Sequence, residues 1–360
     1  MINVTKAYLP PIEEYIKYLE KLWASGAVTN NGVLVQELEA KLAEYLGVPF
    51  VQYVSNGTIA IQIALRSLGI QGEVITTPFS YVATTNAILW EHCEPIFVDV
   101  DPKSFCIDPA KIEASITERT RAILAVHVYG LPCDVEAIDV IAKKYKLKVI
   151  YDAAHAFGCK LNGTSLLNFG DLSTLSFHAT KLFHTVEGGA IVAHTQQMAD
   201  TLIKVKSFGH LGDEYYTLGI NGKNSEFHAA MGLCVLPNVA DITKRRLAIC
   251  EMYDNELRDL GIIFFKISQN YEYNYAYYPV LFQSESQLLA VKQALNSNQI
   301  NPRRYFYPSL NTLPFLQTRQ SCPISEDISS RVLCLPLYDS LEKQDVLRIS
   351  ALIKKVMRMR

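Results

Sequence analysis

Seven short runs rich in β-branched, aliphatic and aromatic residues punctuate the chain: Phe50–Val54, Val74–Thr76, Pro95–Val98, Ala122–His127, Lys148–Tyr151, Leu172–Phe177 and Ala190–Ala193. Stretches with helical spacing of apolar residues separate them. Parallel neighbours need a crossover long enough to hold a helix, so this alternation predicts a mostly parallel central sheet flanked by helices, an α/β class. Two helices are expected before the first run. Ile12, Tyr15, Ile16, Leu19, Leu22 and Trp23 recur at helical spacing up to Gly26, and a second pattern from Leu34 to Leu46 ends at Gly47.

After the last run the spacing predicts a helix near Gln196–Ser207, a Gly- and Tyr-rich loop at His210–Lys223 and a long helix from about Glu226 to Leu260. Strands near Ile262–Lys266 and Tyr275–Phe282 and helices near Glu285–Asn298 and Glu342–Met357 then indicate a smaller C-terminal α+β domain. The expected division is 1–240 and 241–360. Tyr271, Tyr273, Tyr275 and Tyr277 alternate as one face of a strand would; they read either as a platform for stacking a sugar or as a strand face packed on a helix, and on the second reading they are left outside the candidate site.

Composition removes several function classes. The 360 residues are 49% apolar and 19% charged with a net charge of −2, which suits a folded core and supplies no overall positive field for a nucleic acid or an anionic membrane. No apolar run reaches the roughly 18–20 residues of a membrane span, and Met1–Pro11 has no basic segment leading into an apolar stretch. A cytoplasmic protein is expected. The eight cysteines are scattered, with no pair at two-residue spacing, so they are expected to be reduced thiols and no metal site is expected.

In open α/β sheets, ligands gather beyond the carboxyl ends of the strands. Ser55-Asn56-Gly57-Thr58 follows the first run and leads into a helix, where free amides and the helix dipole suit a phosphate; an ordinary capped turn has the same composition. Asp152 ends a buried run, and a carboxylate there needs a cation or several donors. Lys181 follows Ser176-Phe177-His178-Ala179-Thr180, ahead of a tight return through Glu187-Gly188-Gly189.

Taken together, Val54–Ala60, Thr77–Thr84, Asp152–His155, Ser176–Lys181 and Gly219–Lys223 resemble, in order and separation, the motifs of the DegT/DnrJ/EryC1/StrS family, from about Leu9 to Leu352. The resemblance implies the fold of a type I transferase dependent on pyridoxal 5'-phosphate (PLP). It implies that Lys181 bonds covalently to PLP, that Asp152 pairs with the pyridine nitrogen and stays ionised, and that His155, where many relatives have Gln, approaches the ring hydroxyl. Tyr81 takes the place of a ring stacked on the cofactor. Gly57, Thr58 and Ser176 match phosphate ligands, and Asn221 matches a residue reaching the phosphate from the neighbouring subunit. A homodimer with active sites at the subunit interface follows from that last match.

Ser176–Lys181, the following Leu182–Gly189 and Arg303–Asn311 are similar to a subgroup that aminates C4 of dTDP-4-keto-6-deoxyglucose with glutamate as donor. The implied product is dTDP-4-amino-4,6-dideoxyglucose, a sugar for lipopolysaccharide O-antigen. A 3-keto sugar or a UDP- or GDP-linked 4-keto sugar is the alternative, and a catalytically silent nucleotide-sugar-binding protein a further one. His178, Arg303, Arg304 and Thr29 are candidate substrate contacts, the arginines as diphosphate partners. Asn311 departs from the His of many relatives. Lys181 argues against a sugar dehydratase, which has His there, and the absence of Gly-x-Gly-x-x-Gly after the first strand argues against a dinucleotide-dependent dehydrogenase.

Overall fold

The computed structural model describes residues 1–262, 267–317 and 319–358. All seven runs become strands of one sheet: β1 (Phe50–Val54), β2 (Glu73–Thr76), β3 (Glu94–Phe97), β4 (Thr120–Val126), β5 (Lys148–Asp152), β6 (Leu172–Ser176) and β7 (Gly189–Ala193). Across the sheet they lie in the order β1-β7-β6-β5-β4-β2-β3. β7 is antiparallel to both neighbours, and the other pairings are parallel. Helices cover both faces, which is why β7 is apolar at every position. Ala190 and Val192 pack in one cluster with Leu38 and Leu42 of α2 (Val33–Leu46). Ile191 and Ala193 pack in another with Ile61 and Leu65 of α3 (Gly57–Ser67).

Helix α1 (Ile12–Ser25) and α2 end at Gly26 and Gly47, whose φ of 67° and 64° put both in the left-handed region that glycine adopts without strain. The periodicity over 226–260 predicts one helix, but there are two, Glu226–Val235 and Val239–Leu257, parted by a 3-10 turn at Leu236–Asn238. Pro237 lies in that turn, where its missing N–H interrupts the α-helical ladder. The expected loop at His210–Lys223 holds a small hairpin, His210–Leu211 with Glu214–Tyr215.

Toward the C-terminus, strand Tyr278–Leu281 pairs antiparallel with Val332–Leu335, and helices Val239–Leu257, Glu285–Asn296 and Lys343–Arg358 pack there through Tyr253, Leu288 and Val346. The expected strand Tyr275–Phe282 is shorter because Tyr275 has a φ of 52°, which is not strand geometry. The expected strand at Ile262–Lys266 falls on residues 263–266, outside the described residues. Ile2–Asn3 pairs in parallel with Ile300–Asn301, a contact that ties the start of the chain to the C-terminal part and that a division at residue 240 does not anticipate. Among the described residues, no helix is long and apolar enough to cross a membrane.

Candidate active site

Register brings three strand ends to one place. Gly189 at the start of β7 pairs with both Ser176 at the end of β6 and Val54 at the end of β1. This close approach needs glycine. A Cβ on Gly189 would lie 2.6 Å from the Asn56 carbonyl, and one on Gly57 would lie 2.8 Å from the Ser176 Cβ. Asn56 caps α3, its Oδ1 accepting the Ile59 N–H at 2.9 Å. The amides of Gly57 and Thr58 belong to the first turn of α3, which has no intrahelical acceptors, so they are donors available to an anion beside the Ser176 hydroxyl.

Asp152 closes β5 and is buried. Its Oδ2 accepts from Thr84 Oγ1 at 2.9 Å and its Oδ1 from the Ala154 N–H at 3.1 Å. Burial raises its pKa, outweighing these two donors and the nearby Lys181 charge. The expectation of an ionised Asp152 counted a cation at the ligand; within the chain alone desolvation prevails. His155, three residues on, accepts the Tyr129 N–H on Nδ1 at 3.2 Å. Burial, and secondly Lys181, hold it well below the ordinary imidazole range, so it is a neutral ring. With Nδ1 accepting, the proton is assigned to Nε2. Its ring stacks on Phe306, with centroids 5.5 Å apart.

Lys181 sits in the return between β6 and β7, held by Phe177 N–H to Gly188 O at 2.7 Å and Ala179 N–H to Val186 O at 2.7 Å. Its Nζ donates to Tyr277 Oη at 3.1 Å. Burial lowers its pKa, against the opposing effect of Asp152. A lowered pKa increases the neutral, nucleophilic fraction of an amine.

These groups face one cavity of about 600 Å³, within the range of small-ligand sites. Of the residues singled out from the sequence, Gly57, Thr58, Tyr81, Asp152, His155, Ser176, His178, Lys181 and Arg303 line it. Three others do not. Arg304 donates to Glu285 Oε1 at 2.7 Å and Ser330 O at 2.9 Å and lies over the Tyr307 ring, so its charge is already committed. Thr29 is exposed, and its carbonyl accepts the Glu226 N–H. Asn221 is exposed and off this cavity in the single chain. Asn311 is buried, donates to Gln320 O and Glu326 Oε1, both at 2.7 Å, and does not line the cavity. The structure adds Tyr277, Tyr305 and Phe306 to the lining, with Thr84 supporting Asp152. Thr84 stands inside the run Thr77–Thr84, whereas Tyr277 alternates with tyrosines that read as one packed strand face, an alternation that the left-handed turn at Tyr275 breaks.

The chain matches the DegT/DnrJ/EryC1/StrS aminotransferase family over residues 11–354. It belongs to that family. It is 43% identical to the dTDP-4-amino-4,6-dideoxy-D-glucose transaminase of Shigella dysenteriae, over 99% of both chains. Its structure superposes on that of DesI in the presence of its TDP-sugar product with a TM-score of 0.95 at 29% identity, covering 100% of this chain and 94% of the other. It superposes on NtdA from Bacillus subtilis with bound cofactor PMP with a TM-score of 0.89 at 30% identity, covering 96% and 82%. As a DegT/DnrJ/EryC1/StrS aminotransferase it is a PLP-dependent enzyme with a mostly parallel sheet flanked by helices. The residues fit that cofactor: free first-turn amides and a serine for the phosphate, a buried carboxylate whose raised pKa asks for a cation, and a desolvated lysine hydrogen-bonded to a neutral phenol.

Proposed function

We propose that the chain transfers an amino group from glutamate to C4 of dTDP-4-keto-6-deoxyglucose, giving dTDP-4-amino-4,6-dideoxyglucose for O-antigen synthesis. The observation that carries the reaction is the meeting of Lys181, Asp152 and the start of α3 around one cavity. The choice of sugar rests on the name of the Shigella relative and the extent of identity to it.

We assign each residue a task. PLP, when bound, supplies an electron sink for the substrate carbon. Asp152 opposes the pyridinium charge and keeps that nitrogen protonated, a pairing that would bring its own pKa back down. The Gly57 and Thr58 amides and the Ser176 hydroxyl hold the phosphate. His155 donates Nε2–H to the ring oxygen, and Tyr81 covers a ring face. Lys181, with its lowered pKa, takes and returns the proton at the substrate carbon. Arg303, exposed on the lining with its guanidinium 4.9 Å over the Tyr305 ring, meets the diphosphate, and His178 is a second lining residue offered to the substrate. We further assign residues 1–240 and 241–360 to two domains, and the working unit to a homodimer in which Asn221 completes the neighbour's phosphate site. The eight buried free thiols suit a reducing cytoplasm.

The test is incubation of the PLP form with glutamate and a panel of 3-keto and 4-keto dTDP-, UDP- and GDP-sugars, with products identified by NMR. The dTDP-linked 4-amino sugar is the expected product. A 3-amino product, or preference for another nucleotide, overturns the choice of sugar. Lys181→Ala should lose transamination by about 10²–10⁴-fold or more, the range of a positioned acid–base group.

A further inference from the structure

Tyr277 makes the hydrogen bond that Lys181 Nζ gives, at 3.1 Å, and is only 9% exposed. Its place is fixed from behind. Asn274 donates to His155 O at 2.8 Å and accepts the Ala276 N–H at 3.1 Å, while Arg246 Nη1 donates to Ala276 O at 3.2 Å. Its ring meets His155 edge-on at 4.8 Å and Tyr305 at 5.8 Å. Packing accounts for the ring, but the hydroxyl is spent on the lysine.

We propose that Tyr277 is a positioning residue for Lys181, holding Nζ at one point whether the amine is charged or neutral. Toward a charged amine the phenol oxygen accepts; toward a neutral amine the phenol O–H donates to the nitrogen lone pair. The contact persists through both states without ionising the phenol. Burial pushes the Tyr277 hydroxyl far above its ordinary range, with Cys334 adding to this and Arg246 and Arg303 opposing it. Asp152 is the first of the groups whose negative charge favours the cationic amine; Tyr305 and Tyr81 face the same amine and would add to this only as phenolates. His155, a further titratable neighbour, is neutral. The inference rests on Lys181 being the reactive lysine.

The measurement is trace acetylation of Lys181 in cofactor-free protein as a function of pH, read by peptide mass spectrometry. A hydrogen bond to a charged group is roughly twice as strong as one between neutral groups. Tyr277→Phe, which keeps the ring, should therefore lower the labelling midpoint by about one pH unit, a tenfold change in the protonation equilibrium. Tyr277→Gln, which keeps a neutral acceptor and donor, should fall between wild type and Phe. Tyr273→Phe removes a hydroxyl that donates to Tyr129 O at 3.0 Å, loosening the same loop without touching Lys181, and should leave the midpoint in place. An unmoved midpoint in Tyr277→Phe, a Gln variant shifted as far as Phe, or an equal shift in Tyr273→Phe overturns the inference. Borohydride reduction of the wild-type holoenzyme with peptide mapping separates the two levels. Cofactor fixed on a residue other than Lys181 refutes the site assignment itself, whereas cofactor fixed on Lys181 with no Tyr277→Phe effect refutes only the role of Tyr277.

Discussion

Thr84 Oγ1 donates to Asp152 Oδ2 at 2.9 Å and is paired in turn with Ser80 Oγ at 2.8 Å, all three residues being buried. The pair crosses from the first turn of α4 (Ala83–Trp90) to the end of β5, so the helix after one strand steadies the carboxylate of another. A donor to the charged form lowers an acid's pKa. Thr84→Val, close in shape but without the hydroxyl, should raise the Asp152 pKa further and move the acid limb of the pH–rate profile to higher pH. A loss of about tenfold in kcat/KM is expected, the size of one hydrogen bond to a charged group. An unchanged acid limb would show that Thr84 does not set the carboxylate's ionisation.

The raised pKa of Asp152 also predicts a stability effect in the cofactor-free protein. The folded pKa lies above the unfolded value of 3.8, so the folded chain holds the proton more tightly than the unfolded chain. Stability from this group is complete below the unfolded pKa and is lost as pH rises through the folded pKa. Asp152→Asn, which cannot ionise, should accordingly have a higher Tm than wild type at neutral pH. The gap should close as pH falls toward 3.8. Thermal unfolding of both apoproteins across pH tests this, and a gap that widens on acidification reverses the sign of the claim.

Much of this molecule was legible because periodicity reports burial. The sheet strands are largely buried, several on both faces as in β7, and the glycines at 26 and 47 mark helix ends by their own geometry. Lys181 and Asp152, both on the cavity lining, were legible through the spacing of motifs, since Asp152 closes one strand and Lys181 lies in the return after another. Long-range contacts were not. Nothing around Ile2 announces pairing with Ile300, and Tyr277 looks like its alternating neighbours until the turn at Tyr275 is known. Arg304 shows the converse limit: it sits next to a cavity-lining arginine, but Glu285 claims it, and Glu285 is adjacent only in the fold.

The turn at Thr29–Gly32 illustrates the same point. Glu226 accepts the N–H groups of Gly32 and Leu34, both at 2.8 Å, and thereby caps α2. A Cβ on Gly32 would lie 2.7 Å from the Glu226 Cδ, and the φ of −83° puts no demand for glycine on the backbone itself. Gly32→Ala should therefore lose about 2 kcal/mol of stability through disturbed capping bonds, measured by urea unfolding. The KM for the sugar nucleotide should stay within about twofold of wild type, well under the tenfold that one hydrogen bond to a charged group carries. A raised KM with normal unfolding would instead place this turn, with Thr29, at the substrate.

Asn221 poses the sharpest question about assembly. The backbone beside it is bound to the loop that follows β1 in the same chain, since Gly222 O accepts the Ser55 N–H at 2.8 Å, but Asn221 itself is exposed and does not line the cavity. If its amide serves the neighbour, a Lys181→Ala subunit and an Asn221→Ala subunit each lack a different half of a shared site. Coexpressing the two should produce heterodimers with one site complete, carrying Lys181 from one chain and Asn221 from the other. Random assortment makes about half of all dimers heterodimers, each with one working site of two, so about a quarter of wild-type activity is expected. This requires Asn221→Ala alone to be clearly impaired. If mixing restores nothing beyond the sum of the parents, each chain builds its site alone, and the proposed crossing of the interface fails while the roles of Lys181 and Asp152 stand.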